Sequence, residues 1–134
     1  MKRKIIITAS LFGVLAVIAG AFGAHSLQAR MSPKDLEVWH TAVQYQFYHV
    51  FALLFLSTLT RFRSSLINAS YYLFTFGIIL FSGSLYLLSC RSLLSLGSLS
   101  IIGPITPIGG SLFIAGWVTL ALAAFRIKHS TTNP

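Results

Sequence analysis

The chain has 134 residues, of which 55% are apolar and 9% charged, whereas soluble domains carry roughly a quarter charged residues. Too few polar side chains remain to coat a water-exposed surface, so a soluble globular domain is excluded and an integral membrane protein is expected. Ten Lys and Arg against two acids give a net charge of +8, but these bases stand singly or in twos and threes between apolar runs. No basic face interleaved with aromatics emerges, which argues against nucleic acid as a partner.

The first element is Ile5 to Ala24, twenty apolar or small residues in succession. That is the length needed to cross a hydrocarbon core of roughly 30 Å at about 1.5 Å per residue. The basic start Met1-Lys2-Arg3-Lys4 resembles that of a signal peptide, but the run is long for an h-region, so a retained helix over 5–24 is expected. Ala9, Gly13, Ala16, Gly20 and Gly23 are spaced four, three, four and three. They make one stripe of small residues, which allows close approach of a neighbouring helix.

The second element opens on Ser32 as N-cap, Pro33 at the first helical position and Asp35 three residues after the cap. Its helix is expected over 33–60, with polar first turns through Trp39 and His40 and an apolar part from Ala42 to Leu59 interrupted by Gln44, Gln46 and His49. After the polar turn Thr60 to Ser65, a third helix is expected over 66–88, offering Gly77, Gly83 and Ser84 for packing. Leu93 to Thr106 carries no charge, several Ser and Gly, and Pro104, so 93–105 reads as an interfacial or re-entrant segment. Thr106-Pro107 repeats the cap-and-proline start, and a fourth helix is expected over 107–125, with Ser111, Ala115, Thr119 and Ala123 at every fourth position, before a frayed polar tail.

These elements predict an all-α fold: a single membrane domain over 1–134, four transmembrane helices in an antiparallel bundle. With the amino terminus inside, seven Lys and Arg fall on the cytoplasmic side and three outside. That bias places both termini in the cytoplasm.

Four ordered motifs carry a likeness: Gly20-Ala21-Phe22-Gly23-Ala24-His25; Trp39 with Thr41-Ala42-Val43, Tyr45 and His49; Leu80-Phe81-Ser82-Gly83-Ser84-Leu85-Tyr86; and Pro104-Ile105-Thr106-Pro107-Ile108-Gly109-Gly110 with Gly116-Trp117. Together they resemble the domain-of-unknown-function 423 family of small bacterial inner-membrane proteins, related to transmembrane protein 256. The resemblance implies a four-helix membrane protein and brings no reaction, cofactor or catalytic residue with it.

No Asp, Glu, Lys or Arg interrupts the four apolar spans, although such groups are what ion and proton pathways usually need. His49 is the exception among titratable groups, about 15 Å along the helix from Trp39. Ala42, Tyr45 and Gln46 share its side of the wheel, and His40 points away. The candidate polar site is therefore His49 with Tyr45 and Gln46, alongside His25 and His40 nearer the outer surface. A haem held between His25 and His49 would need both imidazoles at one depth, which their spacing opposes. A metal site of His25 and His40 with Asp35 or Glu37 has no tight ligand spacing behind it. Hydrolase triads and phosphate loops are absent, and the lone Cys90 rules out an intrachain disulfide.

A non-enzymatic membrane protein is the expected function, a structural or accessory subunit or part of a homo-oligomer, with the lipid bilayer and another membrane protein as partners and no cofactor, metal or catalytic residue. The alternative is a small transporter or channel for a neutral or weakly acidic solute, built on His49, Tyr45 and Gln46. Shielding from lipid requires the His49 face to point into the bundle, bonded to Tyr45, Gln46 or a Ser of the third helix.

Overall fold

The computed structural model describes residues 1–97, 100 and 102–126. Residues 98, 99 and 101 of the expected interfacial segment 93–105, and the tail from 127 on, lie outside the described residues.

The described residues are helical and turn, with no strand. Helix α1 spans Lys2–Phe22 and runs into a π-helical turn at Gly23–Leu27. Helix α2 spans Pro33–Leu59, started by Ser32, whose hydroxyl oxygen accepts the Asp35 N–H at 3.1 Å, with Pro33 in the first turn where its missing N–H costs nothing. A 3-10 turn at Thr60–Phe62 ends on Arg63, left-handed at φ 46°, which reverses the chain. Ser64 then caps α3, Ser65–Gly77, by accepting from the Leu66 N–H.

The helix expected over 66–88 is present as Ser65–Ser89, with an interruption the sequence did not announce. A π-helical turn at Ile78–Ser82 separates α3 from α4, Gly83–Ser89. Residues 91–95 are turn, and α5 covers Ile105–Arg126, with Pro107 inside its first turn rather than at its first position.

Helix α1 lies antiparallel to α2: Gly13 faces Val50 and Gly20 faces Val43, each 3.6 Å from where a Cβ would stand. The stripe of small residues is the contacting side, since Ala9, Ala16 and Gly23 are buried. Helix α5 lies antiparallel to α3 and its continuation: Gly116 meets Phe74, Gly77 meets Phe113, and Gly109 meets the Phe81 backbone. The buried side of α5 is thus Gly109, Phe113, Gly116, Leu120 and Ala123. Of the expected stripe of Ser111, Ala115, Thr119 and Ala123, only Ala123 lies on that side; Ala115 and Thr119 flank it and Ser111 is exposed. Aromatic rings seated in glycine notches, not rows of small residues on both helices, make this contact.

Helix α2 joins the two pairs, touching α3, the second π turn and α4 as well as α1. The core is Ile5, Leu53, Leu56, Ile67, Tyr71, Phe74 and Phe113 with their neighbours. The outward surface is apolar too, as with Ile114 at 68% and Phe125 at 88% exposure, the arrangement of a protein whose solvent is lipid. Among the described residues, Lys2–Leu27, Ser65–Ser89 and Ile105–Arg126 are long and apolar enough to cross a membrane, with mean hydropathies of 2.5, 1.7 and 1.9. Helix α2 is not in that set, its apolar run being diluted by Gln44, Gln46 and His49.

Candidate functional site

His49 stands on the buried side of α2, 4% exposed. One turn earlier, the Tyr45 backbone carbonyl accepts from Nδ1 at 2.8 Å, and on the other side the Trp117 indole donates to Nε2 at 3.2 Å. A carbonyl only accepts and an indole N–H only donates, so this arrangement uses the imidazole as the neutral Nδ1–H tautomer. The ring lies flat on Phe113, centroids 3.4 Å apart and planes 7° from parallel, with Phe74 at 5.4 Å. Gly77 and Gly116 make room for those two rings, so the glycine notches of the fold build the walls around His49.

Gln46 is equally buried but turns the other way. Its Nε2 donates to the Phe12 carbonyl of α1 and its Oε1 accepts from the Tyr86 hydroxyl of α4, both at 2.8 Å. The two residues are three apart, about 60° out of register on the helix, and that suffices to send them to different neighbours. Trp39 supports the same corner: its indole donates to the Ala19 carbonyl at 2.8 Å, and its ring packs on Tyr86 with centroids 4.6 Å apart. Beside them opens a cleft of 460 Å³ bounded by Phe12, Ile18 and Phe22 of α1, Ile79, and Tyr86 of α4. It reaches Gln46, and His49 is not among its walls.

Several other interior hydroxyls also tie one helix to another, while Ser57 and Ser89 bond carbonyls of their own helices. Ser82, at the end of the second π turn, donates to the Ala42 carbonyl of α2 at 2.8 Å. Ser70 and Ser84 bond Thr119 and Thr106 of α5 at 2.8 and 2.7 Å, and Thr8 bonds the Tyr71 hydroxyl at 3.0 Å. Among the described residues no buried side-chain nitrogen or oxygen lacks a partner.

Of the five residues singled out from sequence, the structure brings only Tyr45 to His49, through its backbone carbonyl and through a ring stacked with centroids 6.4 Å apart. The Tyr45 side chain is 39% exposed and its ring packs on Phe81. Gln46 belongs to the α1–α4 corner, while His25 and His40 are exposed at the other end of α2 from Leu59. No Ser of α3 reaches His49; the partner is Trp117. Sequence reasoning missed Trp117, Phe113, Tyr86 and Ser82 as site residues. Three of these lie within the motifs quoted for the resemblance, which was the signal available.

Among the described residues no three of His, Cys, Asp and Glu gather as metal ligands, so His25, His40, Asp35 and Glu37 do not assemble. Cys90 lies just past α4; burial pushes its thiol up, with a Ser89 hydrogen bond opposing and the nearby Asp35 charge adding. A thiol so placed is a poor nucleophile at neutral pH.

Apolar outward faces around hydrogen-bonded helix contacts define a helical integral membrane protein. The family described as "Protein of unknown function (DUF423)" matches residues 19–110, and the chain belongs to it. It is 45% identical over 125 residues to a UPF0382 membrane protein of Staphylococcus saprophyticus, covering 93% of this chain and 99% of that protein. It is also 43% identical over 127 residues to the UPF0382 membrane protein YwdK of Bacillus subtilis, covering 92% of this chain and 98% of the relative. No solved structure matches the chain.

Proposed function

We propose that this protein is a single four-crossing domain of the bacterial cytoplasmic membrane, with both termini cytoplasmic. In this reading it acts without catalysis, as an accessory subunit or a homo-oligomer. The observation that carries the reading is the pairing of interior polar groups: His49, Gln46, Ser70, Ser82 and Ser84 are bonded between or within helices, and among the described residues no buried side-chain nitrogen or oxygen is left over to meet a substrate. A transport or proton pathway usually keeps ionisable groups along a wet route.

The fourth crossing is α2. Its polar side chains Gln46 and His49 turn inward to partners on α1, α4 and α5, so its low hydropathy is a consequence of its central place and does not oppose insertion. The bias of Lys and Arg toward the amino-terminal, Arg61–Arg63 and carboxy-terminal ends supports the orientation.

Proteoliposomes test the function. Flux of protons or small neutral solutes should equal that of protein-free vesicles, and should not respond to His49→Gln. Uptake above background that both His49→Leu and His49→Gln abolish would overturn the structural reading in favour of a transporter, since neither replacement titrates as histidine does.

A further inference from the structure

At the start of α2 the Asp35 side chain does more than follow a cap. Its Oδ2 accepts from the Ser32 hydroxyl at 2.9 Å and from the Ser92 hydroxyl at 3.2 Å, so the turn after α4 is held against the first turn of α2. Beside that link is an open hollow of 400 Å³ between the two helices, walled by Lys34, Asp35, Val38, Leu85, Leu88, Arg91 and Ser92. Its rim is charged and its depth is apolar. Lys34 and Arg91 are exposed, and the hydrogen bonds of Asp35 go to serines, so neither cation is engaged by it. Below them Val38, Leu85 and Leu88 are half-buried and lead along α2 and α4 toward the membrane interior.

Two cations against one carboxylate leave the rim with one net positive charge. A phosphate meets Lys34 as a point charge and Arg91 as a bidentate donor. Both serines converge on Oδ2, so Asp35 Oδ1 is left to accept a hydrogen bond from a hydroxyl beside that phosphate. An ammonium headgroup could also donate to Oδ1, but its charge cancels that of the phosphate, so such a lipid brings no net charge to a net-positive rim; a choline headgroup, in addition, has no N–H or O–H to donate. The three aliphatic side chains then require that the phosphate carry an acyl chain.

We propose that this hollow is a binding site for one anionic phospholipid of the phosphatidylglycerol class. The phosphate sits between Lys34 and Arg91, a headgroup hydroxyl is on Asp35, and the acyl chain lies along Val38, Leu85 and Leu88. The site goes beyond the accessory role proposed above and does not depend on it.

Native mass spectrometry of the full chain, titrated in mild detergent with dioleoyl phosphatidylglycerol or dioleoyl phosphatidylcholine, reads the site directly. Wild-type protein should retain phosphatidylglycerol in preference to phosphatidylcholine. Lys34→Gln and Arg91→Gln should each weaken that binding about five-fold, and the pair about 25-fold, from the worth of one basic residue near a lipid surface. Asp35→Asn should reduce the preference for phosphatidylglycerol over phosphatidic acid, which has no headgroup hydroxyl. The double variant Lys2→Gln with Arg3→Gln, at the opposite end of the molecule, should bind as wild type, and the Lys and Arg variants should share its thermal midpoint. Equal retention of the two lipids, or undiminished phosphatidylglycerol binding when both Lys34 and Arg91 are replaced, would overturn the assignment. Displacement of the lipid by an equal concentration of glycerol phosphate would also overturn it, by showing a soluble anion site with no share for the acyl chain.

Discussion

Gly109→Ala tests how tightly α5 is seated. A methyl group there would stand 2.7 Å from the Phe81 Cα and 2.8 Å from its Cβ, with the Phe81 backbone nitrogen nearer still. Carbon atoms in comfortable contact are about 3.5 to 4.0 Å apart, so α5 must draw back by roughly 1 Å. The atom in the way is helix backbone, which cannot swing aside as a side chain would. Retreat on that scale strains the Ser84–Thr106 bond, 2.7 Å long and one turn away. Overpacking of this kind costs about 1 to 3 kcal/mol, and a weakened hydrogen bond between membrane helices about 0.6 kcal/mol more. Helix propensity returns about 1 kcal/mol for Gly to Ala, leaving a net loss of roughly 0.6 to 2.6 kcal/mol. Gly13→Ala carries the opposite sign, since its methyl would rest 3.6 Å from Val50 in ordinary contact and keeps the propensity gain. Unfolding in mixed micelles of mild detergent and dodecyl sulfate, followed by circular dichroism, measures both. Gly109→Ala as stable as wild type, or indistinguishable from Gly13→Ala, would refute the close approach.

Gln46→Leu removes both bonds that join α2 to α1 and α4, so its unfolding midpoint should fall by an amount equivalent to about 1 to 2 kcal/mol; an unchanged midpoint would mean the Phe12 and Tyr86 contacts contribute nothing. Cys90, with its thiol pushed up by burial, should react slowly with a water-soluble maleimide at pH 7. Its rate should keep climbing past pH 8.5, the ordinary thiol range; labelling at pH 7 as fast as a free thiol would contradict the buried setting. Reporter fusions after Arg63 and at the tail should behave as cytoplasmic and one after Arg30 as external. An external tail reporter would eliminate the four-crossing orientation.

Local signals in the sequence were legible where a single helix suffices to state them. Ser32, Pro33 and Asp35 announce the start of α2 because capping is a contact within one turn, and the structure shows the Asp35 N–H on the Ser32 hydroxyl. The small stripe of α1 could be read because its partner is the adjacent helix. What the sequence hid were matters of which neighbour a side chain meets. A helical wheel gives the direction of His49 and Gln46 but no identity for what stands there, so Trp117 and the Phe12–Tyr86 pair were not foreseen. The π turn at Ile78–Ser82 was equally hidden. It inserts a residue without a distinctive residue type, and its effect, Ser82 aimed at the Ala42 carbonyl, exists only once α2 is beside it. On α5 the small residues drew the eye to Ser111 and Ala115, whereas the helix packs by fitting Phe113 into the notch at Gly77. Bulk on one helix against absence on another is a pairwise property, and no single segment displays it.

Polar side chains bonded across the interior hold the helices together, with His49 joining α2 to α5 through Trp117. A double-mutant cycle of His49→Leu, Trp117→Phe and the pair, measured by unfolding in mixed micelles, tests it most directly. The account predicts a coupling of about 0.6 to 1.7 kcal/mol between the two positions, the range for hydrogen bonds between membrane helices. Strictly additive losses, with no coupling, would contradict it and return His49 to the list of groups free to meet a substrate.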